Sequence, residues 1–575
     1  MEEVKRIPYG VSNFVEVVEQ NQYYVDKTMY LPLLEKQPSN LFFIRPRRFG
    51  KSIFLSMLRT YYDIAQKEKF EKRFSNLWIG SRPTQLQGTF QILFLDFSRV
   101  GGLDRTLAEN FDDYCCGGLD DFASIYEPYY YPGFEEEMKA QYGTTNKLNF
   151  LDRKARNNGS KLYLIVDEYD NFTNVVLNEQ GDKVYHALTH ASGFYREIFK
   201  KFKGMFERIF MTGVSPVTLD DLTSGFNIGW NISTDHQFNM MLGFSETDVR
   251  EMIQYYKDAG QLPGNTNIDA MIEEMRPWYD NYCFAEESLE RDPKMFNCDM
   301  VFYYLRHYMT LGKSPKEMID PNTRTDYNKM KKLIRLDKLD GNRKGVLRKI
   351  TEDGQIVTTL TTTFPATDIT KPEIFPSLLF YYGMLTITAT RGNYLVLSIP
   401  NNNVRKQYYE FLLEEYQDNR HINLNDLGPM YYEMAYDGHW RETLEFIAHA
   451  YKENSSVRNA IEGERNLQGF FTAYLSTNAY YLIAPEVELN HGYCDLFLMP
   501  DLIRYDVKHS YIIELKYLSV KDSEAKAEAQ WKEAVEQIKG YAAGPKVRRM
   551  IYDTELHCIV MQFRGWELER MEEVR

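Results

Sequence analysis

Two stretches in the first third of the sequence hold side chains suited to binding a nucleoside triphosphate. The first, Arg45-Pro-Arg-Arg-Phe-Gly-Lys-Ser52, follows a short apolar run and precedes an amphipathic stretch. Loop and helix-end N–H groups attract phosphate, Lys51 can reach the β- and γ-phosphates, and the Ser52 hydroxyl can ligate Mg²⁺. The standard pattern begins with glycine, a position that Arg45 holds here, so this motif alone could be a chance Gly-Lys-Ser on a charged surface. The residues expected to contact ATP are Arg48, Phe49, Gly50, Lys51 and Ser52.

The second stretch, Leu162-Tyr-Leu-Ile-Val-Asp-Glu-Tyr-Asp170, is typical of a buried strand that ends in acids. In an open parallel sheet, ligand-binding groups lie at the carboxyl ends of the strands. We expect Asp167 to hold Mg²⁺ and Glu168 to polarise the attacking water. An acidic loop after a core strand is the alternative for this stretch alone, but the two motifs in this order favour a nucleotide site.

A further apolar run, Ile209–Met211, ends in hydroxyl side chains. Thr212 or Ser215 could contact the γ-phosphate or the lytic water, and we assign this role to Thr212. Either residue could equally be a cap at the end of a strand.

A second set of chemically active side chains lies near the C-terminus. Glu514 and Lys516 are two apart in the run Tyr511–Lys516, so on a strand their side chains leave the same face. If this strand pairs with the preceding one, Asp495 falls beside them. Two carboxylates and an ammonium can hold Mg²⁺ or Mn²⁺ and activate water for phosphodiester hydrolysis. A solvent-facing Glu-x-Lys pair is the alternative. The flanking helices offer a further acid and an amide, Glu464 and Gln537.

The order of apolar runs predicts the elements that would position these groups. About 245 residues alternate strand-like and helical stretches, the pattern of a parallel α/β sheet. Gln237–Leu242 could add a fifth strand, and the Asp-, Tyr- and Gly-rich insertion 101–159 is expected to be irregular and exposed. The four strand-like runs are 41–44, 92–95, 162–166 and 209–211.

Beyond residue 245 the pattern becomes mostly helical. Ser245 followed by Asp248 predicts an N-cap for a helix over 248–259. The runs 384–388 and 394–398 predict a hairpin, and the helices before it suggest a winged-helix-like module. The last 120 residues are predicted as a helix, strands at 480–483, 492–499 and 511–516, a helix at 525–541 and a strand at 557–563.

Charge and composition narrow the function classes. The net charge of −14 means that contact with nucleic acid needs a local basic patch, and residues 321–350 hold ten basic residues against three acidic ones. That segment could also be a solvated helix face. His186 and His190 have zinc-ligand spacing but no third ligand in sight, which favours ordinary helix residues.

The 575 residues, 43% apolar and 26% charged, predict about three or four domains and exclude a disordered or fibrous chain. No apolar run approaches the ~18 residues that cross a bilayer, so no membrane is expected. The six cysteines form no CxxC pair, which indicates reduced thiols in a cytoplasmic protein.

Several motifs together resemble those of bacterial AAA-ATPase-like proteins that carry a C-terminal PD-(D/E)XK nuclease-like domain. This resemblance implies an AAA-like P-loop core, in which arginine at the first loop position belongs to the family pattern. It also implies a restriction-endonuclease-like C-terminal fold, with Asp495, Glu514 and Lys516 at the catalytic positions. The motifs are Tyr24–Thr28, Arg45–Ser52, Val166–Asp170, Thr212–Pro216, Leu242–Ser245 and Trp278–Asp280.

The combined interpretation is a multidomain α/β protein in which ATP hydrolysis gates or positions a metal-dependent nuclease. We expect DNA rather than RNA as the substrate, in genome defence or mobile-element handling. The alternative is a nucleotide-dependent sensor, scaffold or DNA-binding regulator whose nuclease-like domain binds without cutting, and homo-oligomer formation stays open. The expected parts are an ATPase core at 1–245, a helical lid with a winged-helix-like region at 246–400, a helical connector at 401–455 and a nuclease-like domain at 456–575.

Overall fold

The structure is a computed structural model of the 575-residue chain, and it divides into two compact units. The first unit comprises 1–346 and 355–402, and the second comprises 347–354 and 403–575. Within the described residues, no helix is both long and apolar enough to cross a bilayer. The residues described are 3–100, 106–170, 194–216, 229–291, 294–321, 343–364, 371, 373–417, 424–453, 463–489 and 492–575.

Helices make up much of the chain before residue 382. Several begin at a side-chain cap, such as the helix that follows Ser245. The described helices are α1 (Phe14–Glu19), α2 (Leu31–Glu35), α3 (Lys51–Tyr62), α4 (Phe70–Phe74), α5 (Leu107–Tyr126), α6 (Phe134–Lys139), α7 (Gly143–Asn158), α8 (Phe194–Met205), α9 (Glu246–Asp258), α10 (Ile268–Tyr279), α11 (Cys298–Leu311), α12 (Arg343–Asp353) and α13 (Phe375–Tyr381).

A five-stranded parallel sheet organises the first unit, in the order β2-β3-β4-β1-β5. All residues of β1 and β3 are buried, as in parallel sheets that are covered on both faces. β4 lies between β1 and β3, so the strands that carry the two nucleotide motifs are not neighbours. The strands are β1 (Asn40–Ile44), β2 (Gln91–Asp96), β3 (Leu162–Asp167), β4 (Arg208–Gly213) and β5 (Trp230–Asn231).

The prediction of a fifth strand at 237–242 is wrong. His236–Phe238 is a 3-10 turn capped by Asp235, and the fifth strand of the sheet is Trp230–Asn231. The buried apolar residues Phe238, Met241 and Leu242 are spaced by three and four, which is a helical-turn period rather than the period of two that a strand requires.

The insertion between β2 and β3 is helical, so the expectation of an irregular segment is also wrong. α5 begins at a capping box formed by Thr106 and Glu109 and packs on β2. Gly118 permits a close approach, since a Cβ there would lie 2.9 Å from Leu95 Cδ2. Interspersed Asp and Gly residues obscured the buried stripe of α5, which is Phe111, Cys115, Leu119, Phe122 and Tyr126.

Two local predictions in the middle of the chain are confirmed. α9 begins at Ser245, which forms a capping box with Asp248, although the helix starts two residues earlier than predicted. β7 (Thr386–Arg391) and β8 (Tyr394–Ser398) form the predicted hairpin, and β6 (Gln355–Thr358) adds a third antiparallel strand. Most of the basic segment 321–350 and the pair His186 and His190 lie outside the described residues.

The second unit is built on a mixed sheet in the order β13-β12-β11-β10-β9. β11 and β12 are parallel, while the other pairs are antiparallel. The strands are β9 (Tyr481–Leu489), β10 (Gly492–Pro500), β11 (His509–Leu518), β12 (Glu555–Arg564) and β13 (Glu567–Glu573), and the helices are α14 (Asn402–Gln417), α15 (Leu427–Tyr436), α16 (Arg441–Glu453), α17 (Glu464–Leu475), α18 (Glu524–Ala542) and α19 (Pro545–Ile551).

Each face of this sheet has its own apolar core. On one face, Tyr511, Ile513 and Leu515 of β11 join buried side chains of α15, α16 and α17. On the opposite face, Ile512 packs with side chains of α18, including Ile538. Successive β11 residues therefore serve different cores, which fixes the face that each polar side chain occupies.

Arg45, at the loop position where glycine is usual, belongs to the core of the first unit. Its guanidinium carbon lies 4.2 Å from the ring centroids of both Phe43 and Phe284. The side chain is 1% exposed, so it points into the core rather than toward solvent. It donates hydrogen bonds to the backbone carbonyls of Ile44, Ser233 and Phe238.

Replacing Arg45 with the standard glycine should therefore destabilise the first unit instead of improving the loop. Three carbonyls would lose their donor, each at a cost of about 1–3 kcal/mol, so Arg45→Gly should lower the free energy of unfolding by roughly 3 kcal/mol or more. Urea unfolding measures this change. The control is Arg82→Ala, which removes an arginine stacked on the exposed Trp78 and should change stability by under about 0.5 kcal/mol. Unchanged stability of Arg45→Gly would contradict the role assigned to the side chain.

Candidate nucleotide and nuclease sites

The loop between β1 and α3 forms one wall of a cavity of about 510 Å³. Gly50 ends the loop with φ 87°, a left-handed conformation that glycine adopts readily, and Lys51 and Ser52 are the first residues of α3. Both the N-terminal end of the helix and the loop therefore face a polar space. The lining residues include Arg47, Arg48, Gly50, Lys51, Ser52, Ser98, Glu168 and Asp299.

Lys51 is 6% exposed, and its ammonium is held by its own loop. Nζ donates to the carbonyl oxygens of Arg45 at 3.0 Å and Pro46 at 2.9 Å. Burial lowers the pKa of Lys51, while the nearby carboxylates of Glu168 and Asp167 oppose that effect. The ammonium is thus held by the loop carbonyls and lies near the acids at the end of β3.

Asp167 is the point at which three elements of the first unit meet. From the end of β3 its carboxylate accepts hydrogen bonds from Ser52 Oγ at 2.7 Å and from Thr212 Oγ1 on β4 at 2.8 Å. Burial raises the pKa of Asp167, and the hydrogen bond from Ser52 opposes that shift. The structure therefore brings the two expected Mg²⁺ ligands, Ser52 and Asp167, into direct contact.

Glu168 follows Asp167 in a conformation that non-glycine residues rarely adopt, with φ 48°. Its N–H donates to Asp167 Oδ1 at 2.9 Å, and its side chain lines the cavity. Glu168 Oε2 lies 3.8 Å from an Arg47 guanidinium nitrogen. Strained backbone of this kind is found at functional sites because the surrounding structure holds it in place.

Two of the expected nucleotide-contacting residues have other roles for their side chains. The ring of Phe49 is buried, with its centroid 5.0 Å from that of Tyr282 and 5.4 Å from that of Phe284, so only its backbone is available to a phosphate. Thr212 is 1% exposed and does not line the cavity; its hydroxyl holds Asp167.

The structure also adds residues that the sequence analysis missed. Asp299 lies across the cavity, 3.7 Å from an Arg48 nitrogen, although it is about 250 positions away along the chain. Asp170 accepts hydrogen bonds from the N–H groups of Val214 and Ser215 and so fixes the end of β4. The position of Asp170 shortly after the strand and the acidic pair could have indicated its role, whereas no motif in the sequence pointed to Asp299.

A smaller apolar pocket of about 80 Å³ adjoins the polar cavity. The two spaces share Val11, Gly50, Ile53 and Asp299. The other walls of the small pocket are mostly aromatic or aliphatic, from Pro8, Tyr23, Tyr24, Phe49, Leu242 and Phe302. A polar space next to an apolar one matches the two ends of a nucleotide.

In the second unit, the three residues of the C-terminal constellation lie together on paired strands. Leu496 of β10 faces Ile513 of β11, which places Asp495 beside Glu514 on the α18 face of the sheet. The N–H of Leu515 donates to Asp495 Oδ2 at 2.7 Å. Lys516 Nζ donates to Glu514 Oε1 at 2.8 Å, and Glu464 Oε1 on α17 lies 3.4 Å from the same nitrogen.

Profiles of two sequence families match the chain. The family described as a predicted AAA-ATPase matches residues 8–223, and the PD-(D/E)XK nuclease superfamily matches residues 462–573. The chain carries an AAA-ATPase-like domain and a PD-(D/E)XK nuclease-superfamily domain. It is also 27% identical over 290 residues to an "Uncharacterized protein in vnfD 5'region" from Azotobacter chroococcum mcd 1. This match covers 50% of each chain, so the chain spans about half the length of that relative.

The constellation of the nuclease-like domain holds buried charges of both signs. Burial, followed by repulsion from Glu514, raises the pKa of Asp495 to about 8. Burial also raises the pKa of Glu514, although Lys516 opposes the shift. Burial alone would lower the pKa of Lys516, but the carboxylates of Glu514, Asp495 and Glu464 outweigh it and raise that pKa. The site therefore lacks positive charge to balance both carboxylates.

A buried oxygen atom of Glu514 supports a divalent cation as the missing partner in the nuclease-like domain. Glu514 Oε2 has no hydrogen-bond partner within the described residues, and neither has the buried Oε1 of Gln537 on α18. Buried oxygens of this type are normally satisfied by a donor, a water or a cation. Carboxylate and amide oxygens suit Mg²⁺ and Mn²⁺, so the donor set of Asp495 and Glu514 fits the metal that PD-(D/E)XK domains use.

Metal affinity of the nuclease-like domain should rise with pH. Because the pKa of Asp495 is raised to about 8, this carboxyl must lose a proton to bind a cation near neutral pH. We expect Mn²⁺ affinity to increase between about pH 6 and pH 9, with proton uptake by the buffer. Calorimetry in two buffers of different ionisation enthalpy measures the Mn²⁺ affinity and the number of protons released on binding. Asp495→Asn should weaken binding and remove most of the pH dependence, and a pH-independent affinity in the wild type would contradict the assignment.

Proposed function

We propose that the chain is an ATP-hydrolysing protein coupled to a Mg²⁺- or Mn²⁺-dependent nuclease that acts on DNA in the cytoplasm. The observation that carries the proposal is the presence of two complete donor sets in one chain. Ser52 and Asp167 meet beside Lys51, and Asp495 and Glu514 meet beside Lys516. Genome defence or mobile-element handling is the proposed setting, on the resemblance alone.

The charges around the larger cavity support ATP as its ligand. Arg47, Arg48 and Lys51 provide positive charge for the phosphates, and the start of α3 adds N–H donors. The adjoining pocket would offer an apolar surface to the adenine ring at the edge of the larger cavity. Mg²⁺, when bound, would offset phosphate charge and would be held by Ser52 and Asp167. Glu168 borders the same cavity, where it would orient and polarise the attacking water.

The charges of the second site support phosphodiester hydrolysis. Asp495 and Glu514 would hold the cation, whose role is to polarise the phosphate and its attacking water. Lys516 would orient that water and offset the negative charge that develops on the phosphate. Glu464 and Glu514 keep the Lys516 ammonium charged and in place.

The nucleotide half of the proposal predicts that one variant loses ATP binding and that another loses only ATP turnover. Lys51→Ala should abolish ATP binding, because the ammonium contacts phosphate. Glu168→Gln should keep ATP affinity within about threefold and reduce turnover by roughly 10²-fold or more, because the carboxylate acts on water. A fluorescent ATP analogue and phosphate release measure the two effects, with the exposed Lys72 changed to Ala as the control. Unchanged ATP affinity in Lys51→Ala would refute the site.

The nuclease half of the proposal predicts that metal binding and cleavage respond differently to substitutions. Asp495→Ala and Glu514→Ala should lose Mn²⁺ binding together with cleavage. Lys516→Ala should retain Mn²⁺ and lose cleavage by about 10²-fold or more, since an ammonium is not a ligand for a cation. All three variants should still hydrolyse ATP, and the exposed Lys521 changed to Ala is the control.

Plasmid, single-stranded DNA and RNA, each with and without ATP, are the substrates for this test. Cleavage that survives Asp495→Ala, or that needs no divalent metal, contradicts the mechanism. A wild-type protein that binds DNA but never cuts any of the three substrates would favour the sensor or scaffold function instead.

A further inference from the structure

A second group of ligand-type side chains lies in the nuclease-like domain, on the opposite face of the sheet from Glu514 and Lys516. His509 of β11 is paired with Glu555 of β12, and two residues further along Tyr511 is paired with His557. Because side chains alternate along strands, these four residues share the face that carries Tyr511. His509 is five positions before Glu514, or about 16 Å along the strand.

The ligand atoms of this group are close enough to share one ion. His509 Nδ1 lies 2.9 Å from His557 Nε2 and 3.7 Å from Glu555 Oε2. One ligand atom from each residue lies within 4.8 Å of the other two. In a tetrahedral site with bonds of about 2.0–2.1 Å, ligand atoms are about 3.3 Å apart. The two distances measured from His509 differ from that spacing by a few tenths of an ångström, and the exposed side chain of Glu555 can move to close the third.

An outer partner already sets the orientation of one imidazole. His557 Nδ1 lies 2.8 Å from Glu573 Oε1 on β13. An ionised carboxylate only accepts hydrogen bonds, so Nδ1 carries the proton and Nε2 presents its lone pair toward His509. A carboxylate that accepts the far N–H of a histidine is the usual outer partner of a metal-ligating histidine. The ring of His557 is also stacked on Tyr511, with an interplanar angle of 17°.

The surroundings of His509 favour its neutral form. Burial, with repulsion from His557, lowers the pKa of His509, although Glu555, Asp437 and a backbone hydrogen bond at Tyr436 oppose the shift. Without an ion, the short contact between the two imidazoles is an N–H···N hydrogen bond. A cation can replace that shared proton when the two rings move slightly apart.

We propose that His509, His557 and Glu555 bind a transition-metal ion of the Zn²⁺ class, separately from the cation of the catalytic carboxylates. Imidazole nitrogens select Zn²⁺, Co²⁺ or Ni²⁺ over Mg²⁺. Glu555 is 71% exposed, so ions can enter from solvent and water can complete the coordination. The ion would join β11 to β12, and Glu573 would extend the link to β13, so binding stabilises the sheet that carries Glu514 and Lys516.

The test uses the full chain without nucleotide, with Asp495→Ala and Glu514→Ala to remove the cation site of the nuclease-like domain. Titration with Zn²⁺ alone and Co²⁺ alone, followed by calorimetry and by visible absorption of Co²⁺, should show one ion per chain at this site, and an excess of Mg²⁺ should not displace it. Adding His509→Gln or His557→Gln should lower Zn²⁺ affinity at least about tenfold, and Glu573→Gln should lower it by about 10–100-fold. The control is His449→Gln, an exposed histidine on α16, which should leave the affinity unchanged.

Glu555→Gln distinguishes loss of the metal site from loss of folding. This exposed carboxylate forms no part of the apolar core, so the variant should fold normally and still bind Zn²⁺ several-fold more weakly. Zn²⁺ should raise the melting temperature of the nuclease-like domain in the parent chain and raise it less in Glu555→Gln. Absence of Zn²⁺ binding in the parent overturns the proposal, and so does a Zn²⁺ affinity in Glu555→Gln and His509→Gln that equals that of the parent.

Discussion

A buried carboxylate at the end of a parallel strand is the constraint on which the AAA-ATPase-like domain depends. Asp167 is 4% exposed and needs hydrogen-bond donors that β3 cannot provide. Ser52 on α3 and Thr212 on β4 provide them. In this sheet β4 lies between β1 and β3, so Thr212 at the end of β4 lies beside the end of β3 and can donate to Asp167.

The phosphate loop is held in place from behind by buried side chains. Arg45 lies between two aromatic rings and binds three backbone carbonyls, and Phe49 packs on two rings from the region after residue 280. The loop can therefore present Gly50 and Lys51 to the cavity, together with Arg47 and Arg48, while Arg45 and Phe49 hold it from the core side. Arginine can stand at the position where glycine is usual because the Arg45 side chain leaves the loop on the core side and packs there.

The nuclease-like domain also depends on buried carboxylates, but its balance of charges differs. Asp495 and Glu514 are these carboxylates, and among the described residues one ammonium, that of Lys516, faces both of them. The unbalanced charge appears as the raised pKa of Asp495 and as Glu514 Oε2, which has no hydrogen-bond partner in the part of the chain that the structure describes. A site of this kind favours a cation because the cation supplies the missing charge and the missing contact together.

The local features of this protein could be predicted from its sequence. The strand before Lys51, the strands that hold Asp167 and Glu514, the cap at Ser245 and the β7–β8 hairpin all follow from short-range patterns of apolar residues and turn residues. The motifs also named the main charged residues of both sites, since their spacing reflects the chemistry of phosphate and metal ions. Local signals sufficed because each depends on neighbours within a few residues.

Tertiary structure alone decided the contacts between distant parts of the chain. The brief strand β5 has no pattern of its own, and the apolar stripe of α5 becomes evident only where it packs against β2. Asp299 reaches the nucleotide cavity, and His509 meets His557, across separations of about 250 and 48 residues. A local sequence pattern cannot predict such contacts. Which side chains meet depends on the order and register of the strands, and the folded core sets both.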